Sequence, residues 1–312
     1  MLRPLLLITV VGCTGKVTVF EDDIDSADTA VPVDTADTAD TGEPDEPAPA
    51  PYTTWLDPVS LDGGTFEMGC TRPAEWPCED DERPSHTVTL APFQILRTEV
   101  PRGMYRSLTG SAPRPPGCTQ DDCVLAGVTW HEAVAFCNLV SEAEGLTPAY
   151  QISGTTVTWD TSADGWRLPT ESEWEYAARG NRDLLYAGSS DLDQVAWTDD
   201  NSGGRPHVFG EKAPNDYDLV DMSGNVWEWV WDGYGAYPDS PTENPQGDAT
   251  SATKVVRGGG WNSIGDDARV SARAHQAPAY AELDLGFRIV RGALVSLAGP
   301  PPPRTEPESP RP

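Results

Sequence analysis

In 312 residues the chain carries 50 Asp and Glu against 21 Lys and Arg, a net charge of −29 at neutral pH. That balance argues against a nucleic-acid binder, because phosphate contacts demand Lys and Arg, and suits cations such as calcium instead. Six cysteines and eleven tryptophans are compatible with a globular core in an oxidising compartment.

The chain begins Met1-Leu2-Arg3-Pro4 and continues with an apolar stretch from Leu5 to Val11, the charged start and short greasy run of a secretory signal. This is shorter than the roughly 20 residues that cross a bilayer. Val10-Val11-Gly12-Cys13 resembles the bacterial lipobox. The resemblance predicts a signal peptide over 1–12, a diacylglyceryl-modified Cys13, and a chain held to a membrane by its N-terminal lipid; an incidental cysteine behind an ordinary signal is the alternative. Glu21–Glu46 is almost all Asp, Glu, Thr, Ala and Pro, with a DTADTADT repeat and no Lys or Arg. Such a segment lacks the apolar surface to fold, so 13–51 reads as a solvated tether. It explains about a third of the negative charge, so the folded part is acidic too. Residues 299–312 form a Pro-rich tail, which leaves 52–298 for one domain.

Within that domain, Thr65-Phe66-Glu67-Met68 and the alternating His86-Thr87-Val88-Thr89-Leu90 read as strands on either side of a polar loop. Cys70 with Cys78 and Cys118 with Cys123 are the natural disulfides, each worth about 2–3 kcal/mol from loop closure. Zinc competes for the same cysteines, but the spacings are not C-x-x-C and histidines are few. Thr129-Trp130-His131-Glu132 has capping-box spacing ahead of apolar Ala133, Val134, Cys137 and Val140, which predicts a helix ending at Gly145 and places Cys137 in the core. Thr170-Glu171-Ser172-Glu173 repeats the device for a shorter helix ending at Gly180. Beyond it, short strands are predicted around Val226–Trp231, Lys254–Arg257 and Gly286–Arg291, between long ordered loops. His86, His131, His207 and His275 show no metal-ligand spacing, and no serine stands in a nucleophile elbow.

Eight blocks follow in order: GGTFEMG at Gly63, DERPSHTVTL at Asp81, TEV at Thr98, VTWHEAVAFCN at Val128, RLPTESEWEYAARG at Arg167, DMSGNVWEW at Asp221, RGGGW at Arg257 and LGFR at Leu285. Together they resemble the formylglycine-generating enzyme, or sulfatase-modifying factor, family from about Trp55 to Arg291. The resemblance implies one α+β domain with the family fold, distantly like C-type lectins and low in regular secondary structure. Active members oxidise the cysteine of a sulfatase C-x-P-x-R motif with molecular oxygen and copper(I) held by two cysteines. Aligned on RGG, the serine of the family block becomes Gly260, and the two thiolate positions fall on Ser263 and Ala268. Copper(I) selects sulfur ligands, so copper is not expected and the oxidase chemistry is in doubt at its centre.

The calcium part of the pattern is retained: the carboxylates of Asp221 and Glu228 and the carbonyls of Gly224 and Val226 match the family's ligands. The turn Asp199-Asp200-Asn201-Ser202-Gly203 matches a second site only loosely. Arg167, Glu171, Glu173 and Arg179 are expected to form internal ion pairs. Arg257, Trp261, Arg269, Arg273 and His275 flank the family's active groove and are the candidates for a surface that binds a peptide, glycan or protein. The leading expectation is a monomeric, calcium-stabilised, non-catalytic binding module, lipid-anchored in the cell envelope with a lean to the outer membrane. A non-copper enzyme of the same family is the alternative, and a working formylglycine oxidase is the third reading.

Overall fold

A computed structural model of the chain describes residues 46–71 and 78–294. The predicted signal, Cys13, nearly all of the tether and the Pro-rich tail lie outside the described residues. The tether as predicted ran to residue 51, but Pro47 already accepts a hydrogen bond from Arg106 Nη1 at 2.7 Å, so its last residues pack on the domain.

Strands β1 (Pro58–Leu61), β2 (Gly64–Met68), β3 (His86–Leu90) and β4 (Phe93–Leu96) come first. β2 and β3 pair antiparallel from Gly64 opposite Leu90 to Met68 opposite His86. The alternation read in HTVTL buries His86, Val88 and Leu90 on one face of the sheet, as a period of two requires. α1 (Arg102–Thr109) follows, a helix the sequence pattern did not announce. Its buried face carries Arg102 and Arg106 beside Met104 and Tyr105, and the guanidinium of Arg106 is neutralised by Asp121 at 2.8 and 2.9 Å. Two arginines in the interior hide the apolar period that would have revealed it.

α2 (Trp130–Ala143) and α3 (Glu171–Arg179) start where the capping boxes predict. Thr129 N–H donates to Glu132 at 2.7 Å and Thr170 N–H to Glu173 at 2.9 Å, each cap contributing about 1 kcal/mol. Between them lie β5 (Tyr150–Ser153), β6 (Thr156–Trp159) and β7 (Trp166–Arg167). The rest of the chain is sparse in regular structure: α4 (Leu192–Val195), then β8 (Trp227–Gly233), β9 (Thr242–Glu243), β10 (Lys254–Arg257), β11 (Arg273–Gln276), β12 (Leu285–Phe287) and β13 (Val290–Arg291). The single strand expected over Gly286–Arg291 is broken at Arg288, whose side chain turns wholly inside.

Two four-stranded sheets, ordered β1-β4-β13-β7 and β11-β10-β8-β12, join a three-stranded sheet β2-β3-β9 and the β5-β6 hairpin in a mixed α+β domain. β8 divides two apolar clusters. Trp229 packs with α2, Phe136 and Phe287, whereas its neighbour Val230 points the other way, into the cluster of Trp174 and Val88. Disulfides join Cys70 to Cys78 and Cys118 to Cys123, while Cys137 is a buried free thiol in α2. No helix among the described residues is long and apolar enough to cross a membrane.

Candidate functional site

The turn after β10 builds the place where the resemblance put two copper thiolates. Gly259 has φ of 74°, and a Cβ there would lie 3.1 Å from the backbone of Asp267 and Ala268, so glycine lets the RGGG turn lie without strain against the segment that carries Ala268. Ser263 Oγ accepts from Gly260 N–H and from Trp227 Nε1–H, both at 3.0 Å. The Ala268 methyl is fully buried among Tyr186, Val195 and Ala196, and its carbonyl accepts from Ser223 Oγ at 2.7 Å. A hydroxyl that ties a turn and a methyl that fills an apolar niche hold these two positions. Cys137 offers no substitute, since burial pushes its thiol upward, away from the thiolate form.

The groove candidates do not assemble into one surface. Arg257 is completely buried, 2.5 Å from Glu175 Oε2 and hydrogen-bonded to the carbonyls of Val270, Ser271 and Ala272. Arg273 grips Glu171 at 2.7 and 2.8 Å and lies over the Tyr237 ring, and Arg269 pairs with Glu82 at 2.8 Å. Trp261 is half-buried and donates to the Leu283 carbonyl, whereas His275 is exposed against Tyr234. Arg257 and Arg273 therefore serve the ion-pair network of α3, in which Arg167 also grips Glu173 at 2.6 and 2.7 Å, while Arg269 is taken up by Glu82.

The DMSGNVWE segment differs in kind. Asp221, Gly224 and Asn225 all have positive φ. A Cβ on Gly224 would fall 2.3 Å from the Trp197 carbonyl, which fixes glycine there. Asp221 is 2% exposed; its Oδ2 accepts from Gly210 N–H at 2.6 Å, and its Oδ1 is buried with no partner. Burial pushes this carboxyl up to about 6 against the pull of the Gly210 hydrogen bond and Arg288. Outside the strand ladders no backbone hydrogen bond from the described residues ends on the carbonyl of Gly224 or of Val226. Glu228 is already engaged: Arg288 holds both of its oxygens at 2.6 and 2.7 Å, and Trp174 Nε1–H adds a third bond at 2.8 Å.

Three of the four predicted ligands thus keep unused oxygens, which fits a hard cation, and Glu228 fits as a charge beside it. No three carboxylate, imidazole or thiol groups among the described residues close on one point, so such a cation would draw on main-chain oxygens. Glu99 was missed by sequence reasoning, although its TEV block was noticed. It is wholly buried with both oxygens unpartnered, and burial, then Asp221 and Glu228, drive its carboxyl well above the usual range. In the looser Asp199–Gly203 turn the Asn201 side chain closes local bonds to Thr198, Ala196 and Asp193.

Two clefts of about 360 and 450 Å³ open on either side of Gly233 and Gly247. The first is lined by Asp232, which burial, reinforced by Glu171, pushes up to about 8. Lys254 lines the second, 4.2 and 4.8 Å from the indole rings of Trp130 and Trp231, and burial brings it down to about 8 against the attraction of Asp232.

Residues 43–293 match the profile of the sulfatase-modifying factor enzyme 1-like domain. The chain is 30% identical over 270 residues to the chaperone protein LppX of Paenibacillus barcinonensis, covering 75% of this chain and 89% of that protein. To the formylglycine-generating enzyme of Streptomyces coelicolor it is 30% identical, covering 79% of this chain and 92% of the enzyme. Among solved structures it is similar to Treponema denticola variable protein 1, with a TM-score of 0.68 and 29% identity over 75% of this chain and 94% of the other.

Proposed function

The chain belongs to the sulfatase-modifying factor enzyme 1-like family, and from that premise we propose that it is a calcium-stabilised binding module that does not oxidise sulfatase cysteines. The observation that carries this reading is the chemistry at Ser263 and Ala268. A serine hydroxyl already held by Trp227 and Gly260, and a buried methyl, are poor hosts for a soft copper(I) ion. Calcium would be held by Asp221 and the carbonyls of Gly224 and Val226, with Glu228 alongside; it would neutralise buried charge and fix a loop of left-handed residues. Similarity to a protein named as a chaperone favours a polypeptide over a glycan as the ligand. Lipidation at Cys13 and the acidic tether would hold the domain outside a membrane, in keeping with the signal-like N-terminus.

The test is to incubate the full-length chain with copper(I), oxygen and a C-x-P-x-R peptide. The expected result is no stoichiometric copper and no peptide aldehyde; either one, appearing at a level comparable to an active family member, overturns the reading. A second reading, a copper-independent enzyme, is favoured by buried Asp232 and half-buried Lys254, both brought to a pKa of about 8 beside open clefts. Metal-independent turnover of a substrate that disappears in Lys254→Met would replace the first reading with this one.

A further inference from the structure

We propose that Glu99 is a further carboxylate of the Asp221 cation centre, holding a divalent cation directly or through a water; the inference rests on the calcium reading above. Glu99 sits between β4 and α1 on a segment stapled from two sides. Val220 N–H donates to the Arg97 carbonyl at 3.1 Å on one side, and Val100 N–H to the Phe287 carbonyl at 2.9 Å on the other. The residue is 0% exposed, so it cannot reach bulk water, yet among the described residues neither of its carboxylate oxygens has a hydrogen-bond partner. A carboxylate in that position is the costliest kind of unsatisfied buried group, and it calls for a bound ion or an ordered water.

Among the described residues the guanidinium that attracts Glu99 is that of Arg288, but it bonds neither Glu99 oxygen, because its donors are committed elsewhere. Nε–H and one Nη2–H go to Glu228, the other Nη2–H to the Val220 carbonyl, and the Nη1 hydrogens to the carbonyls of Leu96 and Arg97. With all five N–H donors placed, Arg288 hydrogen-bonds Glu228 and acts on Glu99 and Asp221 only through space, while the charge of Asp221 repels that of Glu99. Two carboxylates with no guanidinium bonded to either ask for a divalent ion rather than a monovalent one. The hard oxygens available are those of Glu99, Asp221 Oδ1 and the open carbonyls of Gly224 and Val226.

The experiment strips the full-length chain with chelator and titrates calcium by calorimetry, with thermal melts in calcium and in chelator. The proteins compared are the wild type, Glu99→Gln and, as a control for long-range charge, Glu211→Gln, whose side chain is 46% exposed. Glu99→Gln is expected to weaken calcium binding by about tenfold or more and to abolish most of the calcium-dependent rise in melting temperature, while Glu211→Gln stays close to the wild type. A wild type that binds calcium together with a Glu99→Gln variant that binds it equally well overturns the role of Glu99 and leaves the calcium reading standing. A wild type that takes up no calcium overturns both. Should Glu99→Gln fail to fold, Glu99→Asp keeps the charge but draws it back by one methylene, and an unchanged calcium affinity in that variant is equally fatal.

Discussion

The buried faces of α3 and the loop around Asp221 both take carboxylates out of water, and they deal with the charge in opposite ways. On α3, Glu171, Glu173 and Glu175 each meet a guanidinium at 2.5–2.8 Å, from Arg273, Arg167, and Arg179 together with Arg257. Glu175 shows the outcome. Burial alone would raise its carboxyl, but Arg179 and Arg257 outweigh burial and hold it below the usual carboxylate range. Around Asp221, burial is just as complete, no guanidinium among the described residues bonds Asp221 or Glu99, and their carboxyls move upward instead. Burial therefore does not mark the candidate site in this molecule. What marks it is the number of unused oxygens, because the α3 network closes with the chain's own side chains and the Asp221 loop does not.

The largest effect is expected where the closed network is opened. Glu175→Ala would strand Arg257 and Arg179 without their carboxylate and should cost about 3–5 kcal/mol, read from urea unfolding, with no difference between calcium and chelator. A loss below about 1 kcal/mol would mean that water reaches the network and that the contrast with Asp221 is weaker than drawn. Next comes calcium itself. At free calcium a hundred times the dissociation constant, the wild type should gain about 2.7 kcal/mol over the chelated protein, and Asp221→Asn should lose most of that gain. Equal unfolding curves with and without chelator would erase the distinction between the two regions.

How far the sequence foretold this arrangement depends on the range of the interaction. Thr129 with Glu132 and Thr170 with Glu173 lie three residues apart, so both helix starts were legible, as was the alternating strand His86–Leu90. α1 was not, because Arg102 and Arg106 stand where apolar residues would be expected and are tolerated only through their partners, Asp121 among them. The same limit explains the groove candidates. Arg257, Arg269 and Arg273 suggest a ligand-binding surface until the fold delivers Glu175, Glu82 and Glu171 from far along the chain. Asp221 and its carbonyls form a local motif and could be named from their order. Glu99 joins them only through the pairing of its segment with Val220 and Phe287, which no spacing displays.

Asp232 and Lys254 stand between these extremes, since each is the other's main compensating charge without being fully paired. Asp232 is raised from 3.8 to about 8, so the stability it contributes is complete below its ordinary value and is lost as pH climbs through about 8. Lys254 is lowered from 10.5 to about 8, so its contribution is present above its ordinary value and is lost as pH falls through about 8. The two slopes meet, and urea midpoints measured from pH 5 to pH 10 should pass through a shallow minimum near pH 8. Asp232→Asn should flatten the descending limb and Lys254→Met the ascending one. The clefts beside both groups admit water, which reduces the cost of charging either of them and keeps the minimum shallow. A minimum that survives both substitutions would assign the titration to other groups and leave this pair as bystanders at the edge of the closed network.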